Sequence, residues 1–279
     1  MILKAPAKVN WFLLVRDKRV DGYHDIVSLM QKVSLYDTLT LTPADDIVLT
    51  SDLDLPAEDN LVVRAANLLR EHSGYTGGVM IDLRKEIPSG AGLGGGSSDA
   101  AATLAGLNRL WALGLDDDTL MKLGARLGSD VPFFLGGRSS LAEGRGERLT
   151  PLPIMSSCVL LLVKPGLSVS TGWAYDQYEK LTKKTVDIKL FCQTLDRKDF
   201  AQLRQMACND LEDAVMKEHR VIAVIKDRLR EQGSEFALMS GSGSTVFGVF
   251  SSQEMASRAA AAMGDHWCRV VNTLVDETG

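Results

Sequence analysis

Disulfide and zinc chemistry have little to work with in this chain of 279 residues. Its four cysteines, Cys158, Cys192, Cys208 and Cys268, stand far apart, none forms a CxxC pair, and the four histidines form no cluster. That spacing excludes a cysteine-rich metal site and a disulfide framework, and leaves four buried structural thiols in a reducing compartment as the expectation. Cationic charge is also short: 31 Lys and Arg stand against 36 Asp and Glu, a net charge of −5. No broad basic surface for nucleic acid or anionic membrane is expected, so an anionic ligand has to be gripped locally. No apolar run is long enough to cross a bilayer. The opening "MILKAPAKVNWFLLV" breaks its short apolar stretch with Lys4, Pro6 and Lys8 and carries no cleavage-site pattern, so a cytoplasmic, bacterial-type protein without signal or transit peptide is expected. Internal repeats and low-complexity tracts are missing too.

What is present is hydrophobic patterning sufficient for two cores, 45% of residues being apolar. Alternating and β-branched runs predict strands over 8–15, 37–43 and 46–51, and a helical repeat over 60–73 stops at Gly74, where a helix-ending glycine belongs. A strand is expected over 77–88, then a helix starting at Ser97 or Ser98 and running to 113. A short acid-started helix over 116–128 precedes a proline-containing connection at 129–137 and a strand-and-turn segment. Pro151 and Pro153 mark a boundary, giving domains 1–153 and 154–279. Beyond it lie a strand at 158–165, a helix around 171–181, long helical stretches over 199–215 and 221–233, a hairpin over 236–250, a helix over 252–264 and a last strand over 268–275. The fold class is α+β, the second domain carrying helices on one face of an antiparallel sheet.

Between a strand and a helix sits "PSGAGLGGGSSDAAATL", with glycine at 90, 92, 94, 95 and 96. Glycine permits positive φ and close backbone approach, and the head of the following helix offers unpaired N–H groups at the positive end of its dipole, which suits phosphate. A flexible linker is the bland alternative, but linkers do not usually lead into Ser, Ser and Asp at a helix start. No Lys-Ser/Thr closes the loop, which rules out a Walker A site. Gly90, Gly92 and Gly95 can be forced onto GxGxxG, but no ribose-binding acid in a strand-helix-strand unit follows.

The stretch resembles the ATP loop of the GHMP kinases (galactokinase, homoserine kinase, mevalonate kinase, phosphomevalonate kinase), Pro-x-x-x-Gly-Leu-Gly-[Ser/Gly]-Ser, with Pro88, Gly92, Leu93, Gly94, Gly95, Gly96, Ser97 and Ser98 fitting a variant that has one extra glycine. "APAKVNWFLLV" resembles the family's N-terminal motif and "SGSGSTVFGVF" its C-terminal glycine motif, in the family's order. "DGYHDIVSLMQKVSLYD", "LGSDVPFFL", "AEGRGERL", "VSTGWAY" and "NDLE" extend the likeness over most of the chain. They are similar to a branch whose second substrate is a cytidine diphosphate-linked polyol. The C-terminal motif departs from the commoner Gly-Thr/Ser-Gly-Ser-Cys wording by its extra Ser and by Thr245.

The resemblance implies an N-terminal lobe like the second domain of ribosomal protein S5, a ferredoxin-like C-terminal lobe, and phosphoryl transfer from ATP, with Mg²⁺ arriving on the nucleotide. Residues 1–153 would be the ATP-binding and catalytic domain and 154–279 the substrate-side domain. Pro88, Ser89, Gly90, Ala91, Gly92, Leu93, Gly94, Gly95, Gly96, Ser97 and Ser98 would bind ATP. Lys8 and Asp130 would be the catalytic pair, Asp130 taking or orienting the hydroxyl proton and Lys8 stabilising charge on the transferring group. On pattern alone, Asp130 reads as a turn cap and Lys8 as a solvated strand residue. Asn10 would lie near the polyol, and Tyr23 and His24 near the cytidine. Tyr175 is either a further stacking ring or a core residue. Ser98 or Asp99 are open as metal ligands, and Arg145 has no chemistry assigned. Small molecules alone are expected as partners, with no nucleic acid, no membrane, and a monomer or homodimer. Two alternatives stand: a homoserine- or mevalonate-type kinase of the same family, and a non-catalytic nucleotide-dependent sensor.

Overall fold

A computed structural model describes residues 1–52, 56–178 and 184–275. The chain forms two compact units, one of Met1–Ala7, Leu35–Ser89 and Gly94–Gly137, the other of Lys8–Ser34, Gly90–Leu93 and Arg138–Gly279. Two long strands, β1 (Ile2–Lys18) and β2 (His24–Ala44), each give one end to either unit. Both are longer than the apolar alternation indicates; within β2 the polar Ser28 and Gln31 interrupt it, buried and hydrogen-bonded.

In the first unit, β3 (Ile47–Ser51) runs parallel to β4 (Gly78–Arg84), and β4 pairs antiparallel with the end of β2 from Thr38↔Arg84 to Ala44↔Gly78. The alternation is that of a sheet with one face covered: Leu39, Leu41, Val79, Ile81 and Leu83 are buried while Met80 is exposed. α1 (Leu61–Ser73) starts where the Asn60 carboxamide oxygen accepts the Val62 N–H at 3.0 Å, and stops at Gly74 in the left-handed region. α2 (Gly95–Leu110), α3 (Asp117–Leu127) and α4 (Val131–Leu135) follow. Two expectations change here. α2 begins at Gly95 rather than at Ser97 or Ser98, because Gly94, at φ 72°, turns the chain into the helix without a side-chain cap. The proline-containing connection holds a helix: Pro132 lies in the first turn of α4, where its missing N–H costs no hydrogen bond.

In the second unit, β5 (Ser139–Gly144) pairs with the start of β2 and with β6 (Arg148–Pro151). β7 (Val159–Lys164), α5 (Thr171–Asp176), α6 (Ile188–Asp196), α7 (Phe200–Met206), α8 (Glu212–Glu218), α9 (Arg220–Glu231), β8 (Phe236–Met239), β9 (Val246–Phe250), α10 (Gln253–Ala261) and β10 (Trp267–Asn272) complete it. The four strands from β7 to β10 form an antiparallel sheet in the order β10-β7-β9-β8, the ferredoxin-like arrangement. Leu161, Val163, Met239, Val246 and Phe250 share a core with Ile222, Ile225 and Leu229 of α9 and Ala256 and Ala259 of α10. Trp11 packs edge-on to Phe247, its ring 5.8 Å away.

The helix expected over 199–215 is two helices. After Met206 the chain pairs with β1 instead, Leu13 N–H donating to Cys208 O at 2.8 Å and Asp210 N–H to Leu13 O at 2.9 Å. α6 stands where no helix is expected, and the end of the helix expected around 171–181 lies outside the described residues. Of the four thiols only Cys158 is buried; the other three are half-buried, and all four are free. No helix among the described residues is long and apolar enough to cross a membrane.

Candidate functional site

In the second unit the glycine-loop residues Gly90–Leu93 are tied to β1. Lys8 is buried, and its ammonium donates to Asn10 Oδ1 at 2.7 Å and to Gly92 O at 3.0 Å, while its backbone N–H donates to Leu93 O at 2.9 Å. Positions 8 and 10 share one face of the strand, so the carboxamide meets the ammonium without a turn between them. Asn10 is fixed in turn, donating to Ser28 Oγ at 2.8 Å. Gly92, at φ 73°, is in the left-handed region, and a methyl group there would sit 2.1 Å from Ser240 O. The turn joining β8 and β9 closes over this arrangement. Ser240 Oγ donates to Gly92 O at 3.0 Å and Thr245 N–H to Ala91 O at 3.2 Å, while a methyl on Gly241 would lie 3.3 Å from Lys8 Nζ.

The same unit gathers the aromatic residues. His24 opens β2 and lies on the ring of Tyr175 from α5, centroids 5.6 Å apart and planes at 21°, with Tyr178 edge-on at 6.4 Å. Burial, then the charge of Lys18, pushes the His24 imidazole below its ordinary 6.5, against the smaller pull of Asp176. Tyr23 is exposed, and the Arg145 guanidinium lies 5.0 Å over its ring. The backbone around them is pinned by Asp21 Oδ1, which accepts the Tyr23 N–H, and by Glu147, which accepts the Arg145 N–H.

In the first unit the head of α2 carries the other half of the glycine loop. Ser98 N–H makes the first bond along the helix, to Gly94 O at 2.9 Å, so the N–H groups of Gly95, Gly96 and Ser97 precede that ladder and point out of its positive end. Pro88 is half-buried and Ser89 exposed in the approach to the loop. Ser98 Oγ and Asp99 Oδ1 are buried without a hydrogen-bond partner. The other Asp99 oxygen accepts from Lys85 at 2.6 Å, and Lys85 also pairs with Asp37, whose second oxygen takes the Glu86 and Ile87 N–H groups at 2.6 and 2.9 Å. Burial raises the Asp99 carboxyl to about 7, opposed by Lys85 and reinforced by Asp37. Two orphaned oxygen atoms at a helix head fit a divalent cation that brings its remaining ligands with it. The described residues contain no cluster of three or more His, Cys, Asp or Glu that would hold a metal by itself. Asp130 occupies the N-cap position of α4, yet its side chain makes no capping bond.

The second unit therefore brings Lys8, Asn10 and Gly90–Leu93 together, and separately His24 with Tyr175. The first unit holds Gly94–Ser98 and Asp130. Sequence reasoning missed Lys85 and Asp37. The only available signal was a lysine three residues ahead of Pro88, and its partner 48 positions away carries no motif.

Residues 60–138 match the family described as GHMP kinases N terminal domain, and residues 189–267 the one described as GHMP kinases C terminal. The chain belongs to the GHMP kinase family. Among its relatives, a protein of Thermodesulfovibrio yellowstonii named 4-diphosphocytidyl-2-C-methyl-D-erythritol kinase is 45% identical, with 98% of each chain covered. The protein of the same name from Geobacter metallireducens is 44% identical over 94% of each. A crystal structure of 4-(cytidine 5'-diphospho)-2C-methyl-D-erythritol kinase superposes with a TM-score of 0.85 at 38% identity, covering 97% of this chain and 99% of that one. A mevalonate kinase from L. major, at 16% identity and a TM-score of 0.72, shares the fold.

Proposed function

We propose that the protein transfers the γ-phosphoryl group of ATP to the 2-hydroxyl of 4-diphosphocytidyl-2-C-methyl-D-erythritol. The observation that carries this reading is the Lys8 ammonium bonded to the Gly92 carbonyl, which joins the N-terminal motif to the glycine loop in a buried setting. The relatives' shared name supplies the acceptor.

Pro88 to Ser98 receive the triphosphate, the N–H groups at the head of α2 facing its oxygens. Phosphoryl transfer leaves the protein little covalent work and much positioning. The acceptor oxygen bonds to the γ-phosphorus as the bond to the β,γ-bridging oxygen breaks, ADP departs, and the hydroxyl proton passes to Asp130. Lys8 stabilises charge on the transferring group and Asn10 orients the polyol. The neutral His24 imidazole and the Tyr175 face receive the cytosine, and Tyr23 closes on it. Ser98 Oγ and Asp99 Oδ1, both left without a hydrogen-bond partner, would hold a Mg²⁺ ion arriving with the nucleotide, which would supply neutralising charge at the phosphates. Nucleotide binding and catalysis fall to residues 1–153, with 154–279 supplying Tyr175 and the turn over Lys8. The substrates are small molecules, and a cytoplasmic setting follows from them.

The test is ADP release from Mg-ATP with the cytidylyl substrate beside homoserine, mevalonate and galactose. Turnover confined to the first is expected. Turnover on another alcohol would replace the acceptor, and none on any, with ATP still bound, would replace the enzyme with a sensor.

A further inference from the structure

The "NDLE" segment, residues 209–212, takes no part in the chemistry above, yet three of its four side chains are spent on backbone elsewhere. Asn209 is buried at the break between α7 and α8, and its carboxamide nitrogen donates to Met239 O at 2.8 Å and Gly241 O at 2.7 Å. Its oxygen accepts the Leu211 N–H at 3.0 Å, which aims the amide nitrogen at those carbonyls. Glu212 Oε1 accepts the Met239 N–H at 2.8 Å, and its other oxygen pairs with the buried Lys226 of α9. Asp210 Oδ2 accepts the Val15 N–H at 3.0 Å, fixing the segment to β1, the strand that carries Lys8.

The two carbonyls and one N–H held in this way belong to the end of β8 and to the turn after it. That turn is the one whose Gly241 backbone lies against Lys8 and whose Ser240 hydroxyl bonds Gly92 O. Loops are usually the mobile part of a scaffold. Here Met239 and Gly241 are anchored from behind by amide and carboxylate groups that are themselves buried. We propose that Asn209 and Glu212, with Lys226 as counter-ion, are positioning residues that clamp the 240–245 turn over the Lys8 ammonium and so set the rate of phosphoryl transfer rather than the affinity for nucleotide. The inference rests on Lys8 being catalytic.

Misplacement by about 1 Å costs about 100-fold in rate, which sets the scale of the test. The two informative variants both remove the buried charge pair, so neither leaves an unpaired ion. Glu212→Gln with Lys226→Met keeps an acceptor for the Met239 N–H; Glu212→Leu with Lys226→Met does not. Full-length proteins are compared by kcat, KM for both substrates, affinity for a non-hydrolysable ATP analogue and cooperative thermal unfolding. The Gln variant is expected to retain kcat, and the Leu variant to lose about 10- to 100-fold in kcat with nucleotide affinity unchanged. Asn209→Leu repeats the loss. A folded Leu variant with full kcat, while Lys8→Ala is inactive, would overturn the clamp. An active Lys8→Ala protein would instead overturn the assignment on which the clamp rests.

Discussion

The imidazole of His24 lies nearly parallel to the phenol ring of Tyr175, their centroids 5.6 Å apart although 151 residues separate them in the chain. The pair gives the unit a flat, weakly polar platform of the kind a pyrimidine stacks on, and replacing an aromatic partner of a base by alanine costs about 1–3 kcal/mol. Tyr175→Ala is expected to raise KM for the cytidylyl substrate roughly 5- to 150-fold, leaving KM for ATP unchanged, while Tyr175→Phe stays near the parent. Steady-state kinetics with each substrate varied in turn checks this.

The protonation of His24 fixes a pH dependence. Its pKa lies below 6.5, so the ring is neutral at pH 7, and kcat/KM for the cytidylyl substrate should be flat above that and fall only in more acid solution. His24→Gln removes this acid-side inflection. The sign for stability is the same: below pH 6.5 the unfolded chain takes up a proton that the folded His24 resists, so this group's contribution to stability is present above 6.5 and lost as pH falls. Denaturant midpoints of the parent and His24→Gln between pH 7.5 and 5.5 test it.

Gly92 combines positive φ with a neighbour's carbonyl 2.1 Å from where a methyl group would sit. Gly92→Ala is expected to cost more than about 2 kcal/mol and to abolish nucleotide binding. Gly264→Ala, at φ 66° with open space around it, costs only about 1 kcal/mol. Urea denaturation of the two side by side separates backbone strain from steric exclusion.

Lys85 neutralises two buried carboxylates, Asp37 and Asp99, at the head of α2. Lys85→Met leaves them facing each other without a cation, and a loss of about 3–5 kcal/mol is expected. Asp99→Asn, which keeps a polar group against Lys85, should lose much less. Chemical denaturation at pH 7.5 ranks the two.

The parts legible in the sequence were those whose signal is local. Gly74 ended α1 where a positive-φ residue was needed, and the alternation of Leu39, Leu41, Val79 and Ile81 marked a sheet with one buried face. Lys8 and Asp130 are singled out only by the motifs around them, since a lone lysine or aspartate carries no such information. What stayed hidden was set by chain topology. Asn209 reaches Gly241 across 32 positions and Lys85 reaches Asp37 across 48, with no periodicity linking either pair. Around α2 and α4, residue type without position is misleading. Ser97 and Ser98 suggest a helix start, but Gly94 begins the turn, and the segment with Pro132 reads as a connection although a first-turn proline can start a helix.

In the proposed reaction Asp130, at the head of α4, takes the proton of the acceptor hydroxyl. Single-turnover ADP formation by Asp130→Asn with Mg-ATP and the cytidylyl substrate, alongside binding of a non-hydrolysable ATP analogue, tests that most directly. A loss of roughly 10²- to 10⁴-fold in the transfer rate is expected, with nucleotide affinity retained. Transfer within a few-fold of the parent rate would contradict it.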